Sequence, residues 1–192
     1  MMVDIQRLRR ELEGLRHAHG IGVGDVMWFM PAYDAWREAM DRMGQVDDGT
    51  LARLAAGMDA SLAMRDALLL AMIDDPGRAM VERLVADPHA DDTRGMVVDT
   101  ITRMFEDDAL RPDVDRCEWM LNVIERMVGL CAGTPAVTAR LLSLAAYVAW
   151  WMGDEKTACG YVRRTVQADP DTGMAGIVEG MILRRIRPAW RH

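Results

Sequence analysis

An all-α fold is predicted for this chain by three observations. Apolar residues recur at spacings of three and four, helix starts are repeatedly marked by Asp, Ser, Thr or Pro, and strand-type alternation is absent. The pattern divides residues 1–192 into an irregular bundle of about eight or nine helices in a single domain, ending in a tetratricopeptide-like helical hairpin over 134–170. A length of 192 residues suits one hydrophobic core better than two.

The first helix spans about residues 1–20, with Ile5, Leu8, Leu12 and Leu15 forming a narrow apolar seam. Two heptads fall short of a coiled coil, so this helix is expected to dock on the core. Gly20, Gly22 and Gly24 follow as a turn. The GxGxG string is not a dinucleotide-binding loop, because such loops need a strand before the glycines and here a helix precedes them. A second helix carries Trp28, Phe29, Ala32, Trp36 and Met40 inward, with Pro31 near its start or at a kink. Asp47-Asp48-Gly49 makes a turn, a short helix presents Leu51, Leu54 and Met58, and Ser61 caps the next.

Ser61 to Ile73 is nearly all apolar except for Arg65 and Asp66. Adjacent residues on a helix point in different directions, so each of these charges is expected to find its partner on another helix. Asp75-Pro76 reads as cap and first helical residue, and Thr93 to Phe105 carries the stripe Val97, Ile101, Met104 and Phe105 with an outer Asp99–Arg103 pair. Pro112-Asp113 opens a long helix with Cys117, Met120, Leu121, Ile124, Val128 and Cys131 on one face. Thr134-Pro135 starts the next helix, whose second half, Leu141 to Met152, has no charge and should lie at the centre.

Composition narrows the function classes. A net charge of −7 opposes non-specific binding to nucleic acid or to an anionic membrane, and no uncharged apolar run is long enough to cross a bilayer. The basic run Arg184, Arg185, Arg187 and Arg191 is read as a helix end whose cations suit the macrodipole. Three cysteines lack CxxC spacing, and Cys117 and Cys131 would sit roughly 21 Å apart along one helix, too far for a disulfide. A reduced, cytoplasmic location is the expectation. His17, His19 and His89 with Asp91 and Asp92 lack metal-ligand spacing, and no nucleophile stands beside a base, so no cofactor, metal or catalytic residue is expected.

Gly153 at a turn, Ala158 five residues on and Pro170 twelve beyond that match the spacing of a tetratricopeptide unit, although the large aromatic expected in the first helix of such a unit is not placed that way. The stretch Leu141 to Trp150, followed by Gly153-Asp154, Ala158 and Ala168-Asp169-Pro170, together with Arg65-Asp66-Ala67-Leu68-Leu69, resembles the C-terminal helical part of the actinobacterial domain-of-unknown-function family 4192. The resemblance implies a helical fold and no activity, and the strand-containing N-terminal region of that family has no counterpart here.

Three functional readings follow. The first is a non-catalytic protein-interaction module whose partner meets Trp150, Trp151 and Tyr161; adjacent indoles point apart, so one of them should be exposed. The second is a small-ligand-binding or enzymatic domain with a pocket at Arg65 and Asp66. The third is a homo-oligomeric assembly domain, a homodimer in the simplest case, using the first helix.

Overall fold

A computed structural model describes residues 3–191, and every regular element among them is helical. Ten α-helices follow in order: α1 (Ile5–His19), α2 (Ile21–Asp41), α3 (Asp48–Ala60), α4 (Leu62–Ile73), α5 (Arg78–Ala86), α6 (Asp91–Glu106), α7 (Val114–Leu130), α8 (Pro135–Trp151), α9 (Glu155–Ala168) and α10 (Gly173–Leu183). A short 3-10 turn, Ala189–Arg191, closes the described chain. The number exceeds the eight or nine anticipated, and the last helix, Gly173–Leu183, lies beyond the hairpin with which the predicted bundle ends.

The apolar seam of α1 buries Ile5, Leu8 and Leu12 against α2 and α3. Gly20 ends α1, but Gly22 and Gly24 are not turn residues as anticipated: both lie in the first turns of α2. Their lack of a side chain serves close approach. A Cβ on Gly24 would stand 2.7 Å from the backbone nitrogen of Arg16, and one on Gly22 2.3 Å from the carbonyl oxygen of Ala86. Next to this crossing Arg16 donates from Nε and Nη2 to Asp25, at 2.5 and 3.0 Å, closing a largely buried fork between α1 and α2. Pro31 therefore lies well inside α2 rather than near its start.

Capping sets several of the boundaries. Asp47, Asp113 and Asp154 each accept a hydrogen bond from the backbone N–H three residues on, starting α3, α7 and α9. Ser61 and Thr134 hold N-cap positions, but their side chains make no capping bond. Asp75 does not cap a helix that begins at Pro76. Its carboxylate instead accepts from the N–H of Gly77, and α5 begins only at Arg78. On α6, Arg103 pairs with Asp107 and Asp74 rather than with Asp99, and Phe105 is part-exposed while Met104 is buried.

Helix α8 is the centre. Every residue from Leu141 to Trp151 is buried, with α3, α4, α7, α9 and α10 all packed around it. The chain turns at Gly153, whose φ of +78° favours glycine, and α9 returns along α8 in the most extensive helix pair of the molecule, with Ala158 fully buried between them. No described helix is long and apolar enough to cross a membrane.

Candidate functional site

The residues singled out from sequence do not converge on one site. Trp150 and Trp151 are each 1 % exposed, so the expectation of one exposed indole fails. Adjacent residues do point apart, but α8 is surrounded, and both directions lead into the core. Trp150 packs on Phe105 and Tyr147, at ring separations of 5.7 and 5.5 Å, and its Nε1 donates to the carbonyl of Ile186. The backbone carbonyl of Trp151 accepts from Trp190 Nε1 at 3.1 Å.

Tyr161 lies on α9, largely covered, beneath the Arg164 guanidinium at 5.4 Å. Arg164 holds Glu125 of α7 through two bonds and keeps its carboxyl below the ordinary range. Burial, with Glu125 adding to it, pushes the Tyr161 phenol up to about 12, so it stays a donor at neutral pH. This is an ion pair fastening α7 to α9.

Arg65 and Asp66 correct the expectation that each pairs across helices. The long Arg65 side chain folds back, and its Nε and Nη2 donate to Asp66 Oδ1 at 2.9 and 2.6 Å. The three-methylene stem and the guanidinium beyond it reach far enough to overcome the divergent directions of neighbouring Cβ atoms. Arg65 nonetheless faces a cleft of about 210 Å³ between α4, α8 and the segment joining α9 to α10. Its companion there is Arg140 of α8, which sequence reasoning passed over because a single Arg in an apolar helix carries no spacing signal.

Arg140 is itself anchored. It donates from Nη1 to the carbonyl of Asp59 at 2.8 Å, and its Nε lies 3.3 Å from Asp59 Oδ1. The carboxylate of Asp59, 5 % exposed, also meets Arg9 of α1 at 2.9 Å. One buried carboxylate thus serves two cations. Asp169, Asp171, Gly173 and Met174 form another wall.

Other depressions offer less. One of about 500 Å³ between α1, α2 and α3 is open, and its charged residues Arg7, Glu11 and Arg53 already neighbour one another, with Glu11 3.8 Å from each guanidinium. Cys117 and Cys131 are buried hydrophobes whose thiols burial pushes up to about 12 and about 11, the reverse of what a nucleophile needs. Among the described residues no group of three or more His, Cys, Asp or Glu is placed to hold a metal ion.

The surface holds a feature the sequence patterns did not single out. Helix α10 has one charged residue, Glu179, which is exposed on its outer side, and is otherwise apolar. Only its inner side is covered, by α8 and α9, through Met174, Ala175, Val178 and Met181. Ile177 and Leu183 are 59 % and 77 % exposed, and a Cβ on Gly173 or Gly176 would meet open space. Beyond its end stand Arg184 and Arg185, both exposed and neither paired with a carboxylate among the described residues. Comparison with known proteins adds no relative: no family model, no curated protein and no solved structure matches this chain.

Proposed function

We propose that this protein is a non-catalytic protein-interaction module whose docking face is the outer side of α10. The observation that carries this reading is the mismatch between the helix and its surroundings. A helix with a single charged residue in eleven belongs largely in an interior, yet α10 is covered on one side only and presents Ile177 and Leu183 to solvent beside Glu179. The α8–α9 hairpin supports the reading. With Gly153 at its turn and Ala158 at its contact it follows the tetratricopeptide style, in which each hairpin leaves a face for the next helix to stack on. The resemblance to domain-of-unknown-function family 4192 contributes no activity.

The partner that fits is an amphipathic helix. Its apolar stripe would lie along Gly176, Ile177 and Leu183, where Gly176 permits close approach of the backbones, and acidic residues beyond the stripe would meet Arg184 and Arg185. Trp150 and Trp151 then support the face from beneath the bundle's surface instead of forming it.

A photo-reactive phenylalanine analogue at position 177, expressed in the native host, tests this directly. The expected result is one discrete crosslinked protein that is lost on Leu183→Glu, while the same analogue at exposed Glu13 captures nothing in common with it. Crosslinking of the purified chain to itself would instead establish the homo-oligomeric reading. Identical diffuse background from both positions refutes a docking face on α10.

A further inference from the structure

We infer that the cleft between α4, α8 and the start of α10 binds a small zwitterion, an α-amino acid or close analogue, with its carboxylate held by Arg65 and Arg140 and its ammonium at Asp171. The inference concerns residues other than Ile177 and Leu183 and stands or falls apart from the docking face.

Both guanidiniums are preorganised, in different ways. Arg65 spends Nε and Nη2 on Asp66, which leaves Nη1 free. Arg140 spends Nε and Nη1 on Asp59, which leaves Nη2 free. Each is therefore anchored by an acidic residue and keeps one terminal nitrogen free, and both line one cleft. Arginines fixed in this way lose little side-chain entropy on taking a carboxylate, to which each can donate from its free terminal nitrogen. Side chains from two separate helices, held by two separate acids, supply the anion-binding half.

The opposite wall has the opposite sign. Asp169 Oδ1 accepts from the N–H of Asp171 at 3.1 Å and is committed to its turn. The carboxylate of Asp171 has no ion-pair partner among the described residues and lines the cleft. A simple anion would be drawn by the arginines and repelled by Asp171, within a chain whose net charge is already −7. A simple cation would meet the reverse. A ligand carrying both charges a few ångströms apart satisfies both walls. Met58, Leu62 and Met174 supply an apolar surface for a side chain, and about 210 Å³ falls below the usual range for drug-sized ligands, which suits a molecule of amino-acid size.

Isothermal titration calorimetry of the full chain against the standard amino acids, 4-methylpentanoate, 3-methylbutylamine and inorganic phosphate decides the matter. An apolar amino acid such as leucine is expected to bind, and 4-methylpentanoate, which lacks the ammonium, to bind about tenfold more weakly, the loss of one charge-assisted contact. Arg65→Gln and Arg140→Gln should each weaken leucine by about tenfold on the same basis. Asp171→Asn changes an exposed residue and should leave the fold intact. It is expected to abolish the preference for leucine over 4-methylpentanoate, which tests the site without touching its anchored arginines. Failure of every amino acid to bind at millimolar concentration overturns the inference. So does equal binding of leucine, 4-methylpentanoate and phosphate, which marks a plain anion site, or leucine binding unchanged in Asp171→Asn.

Discussion

Gly24→Ala should destabilise this protein, although alanine is the better helix former. A Gly-to-Ala change inside a helix ordinarily gains about 1 kcal/mol from propensity. At Gly24 the added methyl would lie 2.7 Å from Arg16 N, 2.8 Å from Arg16 Cα and 2.8 Å from the carbonyl carbon of Leu15. All three are backbone atoms, and comfortable contact needs roughly 3.5–4.0 Å, so α1 and α2 must separate by about 1 Å. Overpacking of this kind costs about 1–3 kcal/mol. The separation also stretches the Arg16–Asp25 fork, whose carboxylate is 5 % exposed. Loss of a charge-assisted bond to a buried group adds about 1.5–3 kcal/mol. Set against the propensity gain, the net destabilisation is about 1.5–5 kcal/mol. Urea unfolding followed by far-UV circular dichroism measures it, with Gly95→Ala and Gly160→Ala as internal references. Both glycines are helical with nothing within 4 Å of the added Cβ, so both variants should be stabilised by up to about 1 kcal/mol. A Gly24→Ala protein as stable as the wild type, or more so, would refute the claim that glycine is required by the α1–α2 approach.

Asp59 yields a second expectation: Arg9→Met and Arg140→Met should each cost about 1 kcal/mol, while the double variant, which leaves the buried carboxylate without a cation, should cost about 3–5 kcal/mol in urea unfolding. Additive single effects would refute the shared-carboxylate arrangement. Thiol titration at pH 8 should label Cys159 in the folded protein and leave Cys117 and Cys131 unlabelled until denaturant is added, since burial raises both of the latter thiols far above that pH and removes them from reagent. Asp154→Ala should cost about 1 kcal/mol at pH 7 through loss of the α9 cap. Its carboxyl is held below the ordinary value of 3.8 by bonds from Thr157, so this stabilisation is complete above 3.8 and is lost as pH falls through the depressed value, and the gap between wild type and variant should narrow there.

Much of the helical scaffold was legible from sequence because its signals are local. Asp47, Asp113 and Asp154 act through their own backbone neighbours, and an uncharged run such as Leu141 to Met152 has nowhere to go but inside. The errors cluster where a side chain's partner is remote. Trp150 and Trp151 were separable only on the assumption of a helix with one solvent side, which α8 does not have. Arg65 reached back to its own neighbour, and Arg140, the more informative cation, became visible only beside Asp59, 81 positions earlier in the chain. The outer face of α10 was hidden for the same reason, since an apolar helix reads identically whether one side or both are covered.

The sequence by itself determined an all-helical chain, its central helix and the approximate place of most helices, because periodicity, turn chemistry and chain stiffness act over a few residues. Tertiary structure alone decided which glycines mark close approach, which arginines share a cleft and which apolar helix keeps an open side. Those properties depend on the distance between segments far apart in the chain, and no local pattern encodes that distance.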